Sequence, residues 1–190
     1  MKRLAFLVSV ALAMPAVAEP TVDTRHVDAI KRAARAYASW GKVDDRSRLA
    51  PTLCGPEPTP ARVRLSAADA ESPHGKKLYY LWASDRAKYL DAKQTIPIGF
   101  AIVKQSFAAV PGEGTTGRDA VTVGHESWIT GAAKDLFVMV KVGDRPGSDD
   151  GWVYGTVSPG GTVTSAGRVA SCMTCHDGQT SRDKLFGLAK

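Results

Sequence analysis

The chain has 190 residues, 44% of them hydrophobic and 23% charged, with a formal net charge of +6. That is enough apolar material for one domain with a sizeable core. The basic residues are spread along the sequence rather than gathered in a block, which excludes nucleic acid as a partner.

Residues 1–18 read as a secretory signal. Lys2 and Arg3 form a basic start, Leu4 to Met14 an apolar run, and Ala16-Val17-Ala18 a small-residue cleavage site, leaving Glu19 as the expected mature N-terminus. The apolar run is too short to span a bilayer and no other stretch approaches that length, so no membrane span is expected. Export to the periplasm is the expected destination. Residues 19–60 are read as an N-terminal helix and an irregular linker, and residues 61–190 as a single domain.

The helix is predicted over residues 23–41. Asp23 or Thr24 caps it, Val27, Ile30, Ala34, Tyr37 and Ala38 recur at helical spacing, and Gly41 stops it. Pro51, Pro56, Pro58 and Pro60 mark the irregular connection that follows. Strand signals then dominate. Arg62 to Leu65 alternates, and Leu78 to Ala83 is apolar and aromatic, followed by a short helix capped by Ser84 and running to Leu90. Ile98 to Phe107 and Leu136 to Val142 are predicted strands. Trp152 to Val157 and Thr162-Val163 flank Ser158-Pro159-Gly160-Gly161, a hairpin turn. No fixed-period repeat is present. The expected fold class is α+β: a mainly antiparallel β-sheet with an N-terminal helix and a C-terminal segment that carries the chemistry.

That segment is Cys172-Met173-Thr174-Cys175-His176, the C-x-x-C-H attachment signature of a c-type haem. Two thiols add to the porphyrin vinyl groups and the adjacent imidazole reaches the iron as axial ligand. One covalent haem c is the expected cofactor, held by Cys172, Cys175 and His176, with His176 on the metal and the haem packed against one face of the sheet. A zinc site from Cys54, Cys172, Cys175 and His176 lacks the two separated ligand clusters that zinc usually takes. A thioredoxin-type reading lacks the surrounding βαβ unit. Of the three cysteines, Cys54 is left over, and reads as a free, at least partly buried thiol.

A periplasmic electron-transfer cytochrome is an alternative, and it needs a sixth ligand, Met139 or a histidine. No Met follows His176, and Met139 reads as core. His26, His74 and His125 read as solvated. The position opposite His176 is therefore expected to be open, which suits small-molecule chemistry or gas binding. The β-rich middle argues against a four-helix cytochrome.

Three segments carry a resemblance to a known family: Ile98-Gly99-Phe100-Ala101-Ile102-Val103-Lys104, Leu136 to Lys141 with Gly151-Trp152-Val153-Tyr154-Gly155, and the closing Cys172 to His176. Together they resemble the cytochrome P-460 family over about residues 75–190. The resemblance implies an exported β-sheet homodimer that oxidises hydroxylamine and passes electrons to a periplasmic acceptor cytochrome. Relatives without the activity bind nitric oxide or other gases. It also implies that Lys104 matches the lysine joined covalently to the porphyrin edge. The residues give this position independent interest: Phe100, Ile102 and Lys104 share one strand face, and a lysine continuing an apolar stripe is unusual. A lysine at a strand end reaching water is the other reading.

One departure concerns the distal glutamate that takes protons from substrate in the family. Phe137 falls near its place and cannot accept a proton. An aromatic cap over an open site suits the gas-binding relatives instead. Glu126, in Gly124-His125-Glu126-Ser127-Trp128, is a substitute base or a solvated side chain in a loop.

Other patterns carry less. Gly112-Glu113-Gly114-Thr115-Thr116-Gly117 satisfies G-x-G-x-x-G, but Arg118 to Val123 is strand-like where a helix is required, so it reads as a loop. Asp144, Asp149 and Asp150 read as a solvated turn rather than a cation cage. Arg168 and Arg182 are placed to pair with haem propionates. Leu185, Phe186 and Leu188 are placed to close over an apolar disc.

Overall fold

The computed structural model describes residues 21–43, 48–49, 77–91, 95–112, 120–123, 125–179 and 183–186. The signal segment, Cys54, the strand expected at Arg62 to Leu65, His74, Arg182 and Leu188 lie outside them.

Helix α1 spans Thr24–Ala36 and ends in a tight turn at Tyr37–Ser39. Asp23 caps it, accepting the Arg25 N–H at 3.1 Å. The helix stops short of the predicted Gly41 because Ser39 Oγ donates to the Ala36 carbonyl at 2.7 Å and Trp40 turns extended. Ser39 thereby satisfies one of the carbonyls a helix end leaves open. Strand β1, Gly41–Lys42, follows at once, and β2 is Arg48–Leu49. Both pair antiparallel with β3, Lys77–Ala83, so the linker expectation is corrected at these two places. Neither dipeptide has a periodic pattern; the pairing with β3 is what makes them strands.

Helix α2, Arg86–Leu90, is capped by Asp85 rather than Ser84. Ser84 instead joins two strands: its Oγ accepts the Ala101 N–H at 2.9 Å, holding the start of β4 beside the end of β3. Strand β4 runs Ala101–Pro111, later than predicted, because Gly99 adopts φ +91° and Pro97-Ile98-Gly99 forms a turn. β5 is Ala120–Val123 and β6 is Glu126–Lys141, much longer than the predicted Leu136–Val142. The extension carries half-exposed residues that pair with β5 and the far end of β4, so its weak hydrophobic pattern hid it. β7, Trp152–Val157, and β8, Val163–Gly167, enclose the expected Ser158–Gly161 turn, closed by Ser158 N–H to the Thr162 carbonyl at 2.8 Å. Helix α3, Ala170–His176, ends the described core.

The eight described strands form one sheet in the order β1-β3-β4-β6-β7-β8, with β2 beside β3 and β5 beside β6. Every named strand pair is antiparallel. The fold is α+β as expected. Alternation along the strands gives the sheet two different faces. One face packs Ala101, Val103, Val138, Val140 and Val153 against Ile30 and Ala33 of α1. Contact there is close: a Cβ on Gly155 would meet Ile30 side-chain carbons at 2.8–2.9 Å, so only glycine admits the helix. The other face carries Ala83, Phe100, Ile102, Met139, Trp152 and Tyr154, and packs against Val169, Cys172 and Met173 of the α3 region and Leu185.

Candidate functional site

Three features turn the chain off the sheet and bring the C-x-x-C-H helix onto its second face. Gly167 adopts φ +102° at the end of β8, where a Cβ would meet the Asp23 Cβ at 2.9 Å. Val169 then inserts into the core, and its carbonyl receives the Cys172 and Met173 N–H groups at 2.9 and 3.0 Å, starting α3. Residues three and four apart on a helix lie on one side, so Cys172, Cys175 and His176 are neighbours by construction.

His176 is oriented by two kinds of contact. Its Nδ1–H donates to the Lys184 carbonyl at 2.7 Å. Its ring meets Phe186 edge-on at 4.8 Å and Tyr154 at 5.4 Å. With Nδ1 so engaged, Nε2 is the nitrogen left for a metal. Burial lowers the imidazole pKa, which favours the neutral, ligating ring. Cys172 is a free, half-buried thiol, and burial pushes it up to about 11, so it rests protonated. Cys175 is disulfide-bonded.

Lys104 sits on the same face. It pairs across strands with Leu81 on one side and Phe137 on the other. Its Nζ lies 4.2 Å from the centre of the Tyr79 ring and 5.8 Å from that of Phe137, and Lys77 caps Phe137 at 5.5 Å. The Lys104 charge acts on both Cys172 and His176: it partly opposes the upward push of burial on the thiol and adds to the downward push on the imidazole. Two residues along the strand, Ser106 is fully buried and its hydroxyl has no partner among the described residues. An orphaned hydroxyl is a reason to expect a further group on this face.

These residues fit a haem. An apolar, aromatic wall, an imidazole fixed with one nitrogen spare, a thiol packed on that wall and a lysine beside it supply what a porphyrin needs from a protein. Leu185 is buried in the same cluster, and Phe186 lies on His176 rather than apart from it.

Three expectations need correction: those for Asp149, for His26 and for the loop placement of Glu126. Asp149 is not in a solvated turn: it is 5% exposed and takes Lys184 Nζ at 2.6 Å and the Tyr154 hydroxyl at 3.1 Å. His26 is not solvated either. It is 5% exposed under α1, where Nε2–H donates to the Pro146 carbonyl at 3.0 Å, tying the helix to the β6–β7 loop. Glu126 begins β6 in a strand rather than a loop; it is exposed and pairs with Val123, away from Lys104 and Phe137. Arg168 is exposed and donates to the Ser148 carbonyl at 2.9 Å. Met139 is buried core, on the α3 side. No group of three or more metal-ligating side chains occurs among the described residues.

Lys184 and Asp183 are absent from the residues that the sequence singles out, and Tyr154 enters only as part of a strand segment, with no role. They meet Asp149, Lys141 and Trp152 across 31 to 42 residues of chain, or, for Tyr154, reach the site through a ring contact, and no local spacing announces this.

No helix among the described residues is long and apolar enough to cross a membrane. Among curated proteins, none matches this chain. The profile of the family Cytochrome P460 matches residues 62–187, a stretch that includes β3 to β8, Lys104 and the whole C-x-x-C-H helix. A haem cofactor comes with that match, and the site just described has the residues to hold one: the chain belongs to the cytochrome P460 family.

Proposed function

We propose that this chain is an exported cytochrome with one covalent haem c, which oxidises hydroxylamine or a related small nitrogen compound at an open position opposite His176. Cys172 and Cys175 carry the porphyrin, His176 is its axial ligand, and Lys104 is the cross-link candidate at its edge. The haem would supply the redox centre that accepts substrate electrons and passes them to a periplasmic acceptor cytochrome. The protein's part is to hold His176 neutral, keep water off the apolar wall and place Lys104 at the porphyrin edge. Residues 61–190 act as the haem domain, with residues 1–18 removed on export.

The observation that carries this reading is the position of Lys104. It lies on the α3 face, cross-strand from Phe137, and its charge reaches both Cys172 and His176. A lysine needed only for solubility has no reason to continue the Phe100–Ile102 stripe.

A second reading, non-enzymatic capture of nitric oxide or another gas, is favoured by Phe137. Hydroxylamine must lose N–H and O–H protons as it loses electrons, and a positioned base is worth about 10²–10⁴-fold in such a step. Phe137 stands cross-strand from Lys104 and supplies no base.

Mass spectrometry and the spectrum of the reduced holoprotein test the first reading. A Lys104–haem adduct and a strongly red-shifted band, both lost in Lys104→Ala, are expected. An ordinary c-type spectrum with no adduct would sink it. Phe137→Glu separates the two readings: a gain in hydroxylamine turnover of at least about 100-fold is expected if the base alone is missing, and no gain favours gas capture.

A further inference from the structure

Residues 183–184 are held in a conformation that side chains rarely adopt. Among the described residues, three non-glycine residues have positive φ: Asp150 at 47°, Asp183 at 51° and Lys184 at 63°. All three belong to one cluster. Lys184 Nζ lies 2.6 Å from Asp149, 2.8 Å from Asp150 and 2.7 Å from Asp177, and Lys184 is only 9% exposed. Asp183 Oδ1 accepts from Lys141 Nζ at 2.7 Å and from Trp152 Nε1 at 3.2 Å. Left-handed backbone at non-glycine residues persists only where surroundings impose it, and it concentrates at functional sites.

The outcome of that imposed geometry is the placement of one atom, the Lys184 carbonyl oxygen, which receives Nδ1–H of His176 at 2.7 Å. The backbone on the other side is fixed too, since Lys184 N–H donates to the Gln179 carbonyl at 3.0 Å. The same carboxylate that grips Lys184, Asp149, also receives the hydroxyl of Tyr154, whose ring lies against His176. One cluster therefore sets the tautomer, the ring plane and the ring's packing.

We propose that Lys184 is a positioning residue for the axial histidine: clamped by Asp149, Asp150 and Asp177, its side chain holds the left-handed Asp183–Lys184 turn that aims the Lys184 carbonyl at His176 Nδ1. The proposal rests on the reading of His176 as the axial ligand. A carbonyl held on Nδ1–H makes the imidazole a stronger donor through Nε2 and resists its rotation. Loosening the clamp weakens the bond between His176 and iron and favours the reduced state.

The test uses the holoprotein. In Lys184→Met, the haem remains attached at Cys172 and Cys175. The iron–histidine stretching band of the reduced protein moves to lower frequency, and the midpoint potential becomes more positive. Lys184→Arg, which keeps the cation, returns both towards wild type. A structural role alone would lower melting temperature and leave band and potential in place, and that result overturns the proposal. If Lys184→Met fails to fold, Asp150→Asn decides. It removes one exposed carboxylate at a left-handed position that asparagine tolerates, and it must shift the band the same way by less; no shift overturns the proposal. Wild-type holoprotein without histidine ligation would overturn the axial-ligand reading itself, and the clamp with it.

Discussion

Beneath α1, the sheet offers Val103, Val138, Val140 and Val153 to Ile30 and Ala33. Beneath α3, the same strands offer Ile102, Met139, Trp152 and Tyr154, with Lys104 and Phe137 at the margin. The first face closes on itself, tightly enough that Gly155 admits no Cβ. The second keeps a buried hydroxyl without a partner among the described residues, a spare imidazole nitrogen and a free thiol. Alternation alone separates the two, because successive side chains of a strand point to opposite faces. One set of strands thus builds both the support and the reactive wall, and a change on one face need not be felt on the other.

The largest difference between the two faces is expected in His176→Ala. We expect the chain to fold, since the α1 face is untouched, but to lose axial ligation. The absorption spectrum of the purified protein reads the loss, and unfolding curves check that the fold survives. Next in size is Ile30→Ala. Its side chain is fully buried, and removing it should cost about 2–5 kcal/mol in denaturant unfolding. The haem spectrum should not move. A spectral change in this variant would show that the two faces are coupled after all.

The smallest effect is on the α1 side and depends on pH. The hydrogen bond from the Arg25 side chain holds the Asp23 carboxyl down to about 2, against 3.8 in the unfolded chain. A depressed folded pKa means the unfolded chain binds the proton first, so the cap's contribution is present above about 3.8 and lost as pH falls towards about 2. Asp23→Ala should remove this part of the acid transition and slightly destabilise α1, with no effect on haem attachment. Melting temperature against pH for the two proteins measures it.

Much of the architecture was legible because it is local. The α1 stripe from Val27 to Tyr37, the apolar and aromatic run of β3, and the Ser158–Gly161 turn that follows β7 each carry their own signal. C-x-x-C-H pointed to haem, the cofactor that the family match implies. What was hidden depends on distance along the chain. β1 and β2 exist by pairing with β3, and the far half of β6 by pairing with β5. Asp149 resembled a solvated turn residue because its cation, Lys184, lies 35 positions later. His26 resembled a surface residue because its acceptor, the Pro146 carbonyl, lies 120 positions later. A buried polar group is recognised by its partner, and local spacing cannot supply that partner.

The residues just before α1 make the one parallel contact described, Val22 beside Ala166, with Asp23 N–H on the Ala166 carbonyl at 2.9 Å. Helix α1 also rests on β7 and β8. The beginning of the fold therefore waits for its end. A chain made from its N-terminus carries α1 without its seat until β8 has formed, and Cys172 and Cys175 follow β8 by only a few residues. Long-range pairings of this kind slow folding. If the two cysteines carry haem as proposed, they would emerge into a molecule that has not yet closed, with both thiols still within reach.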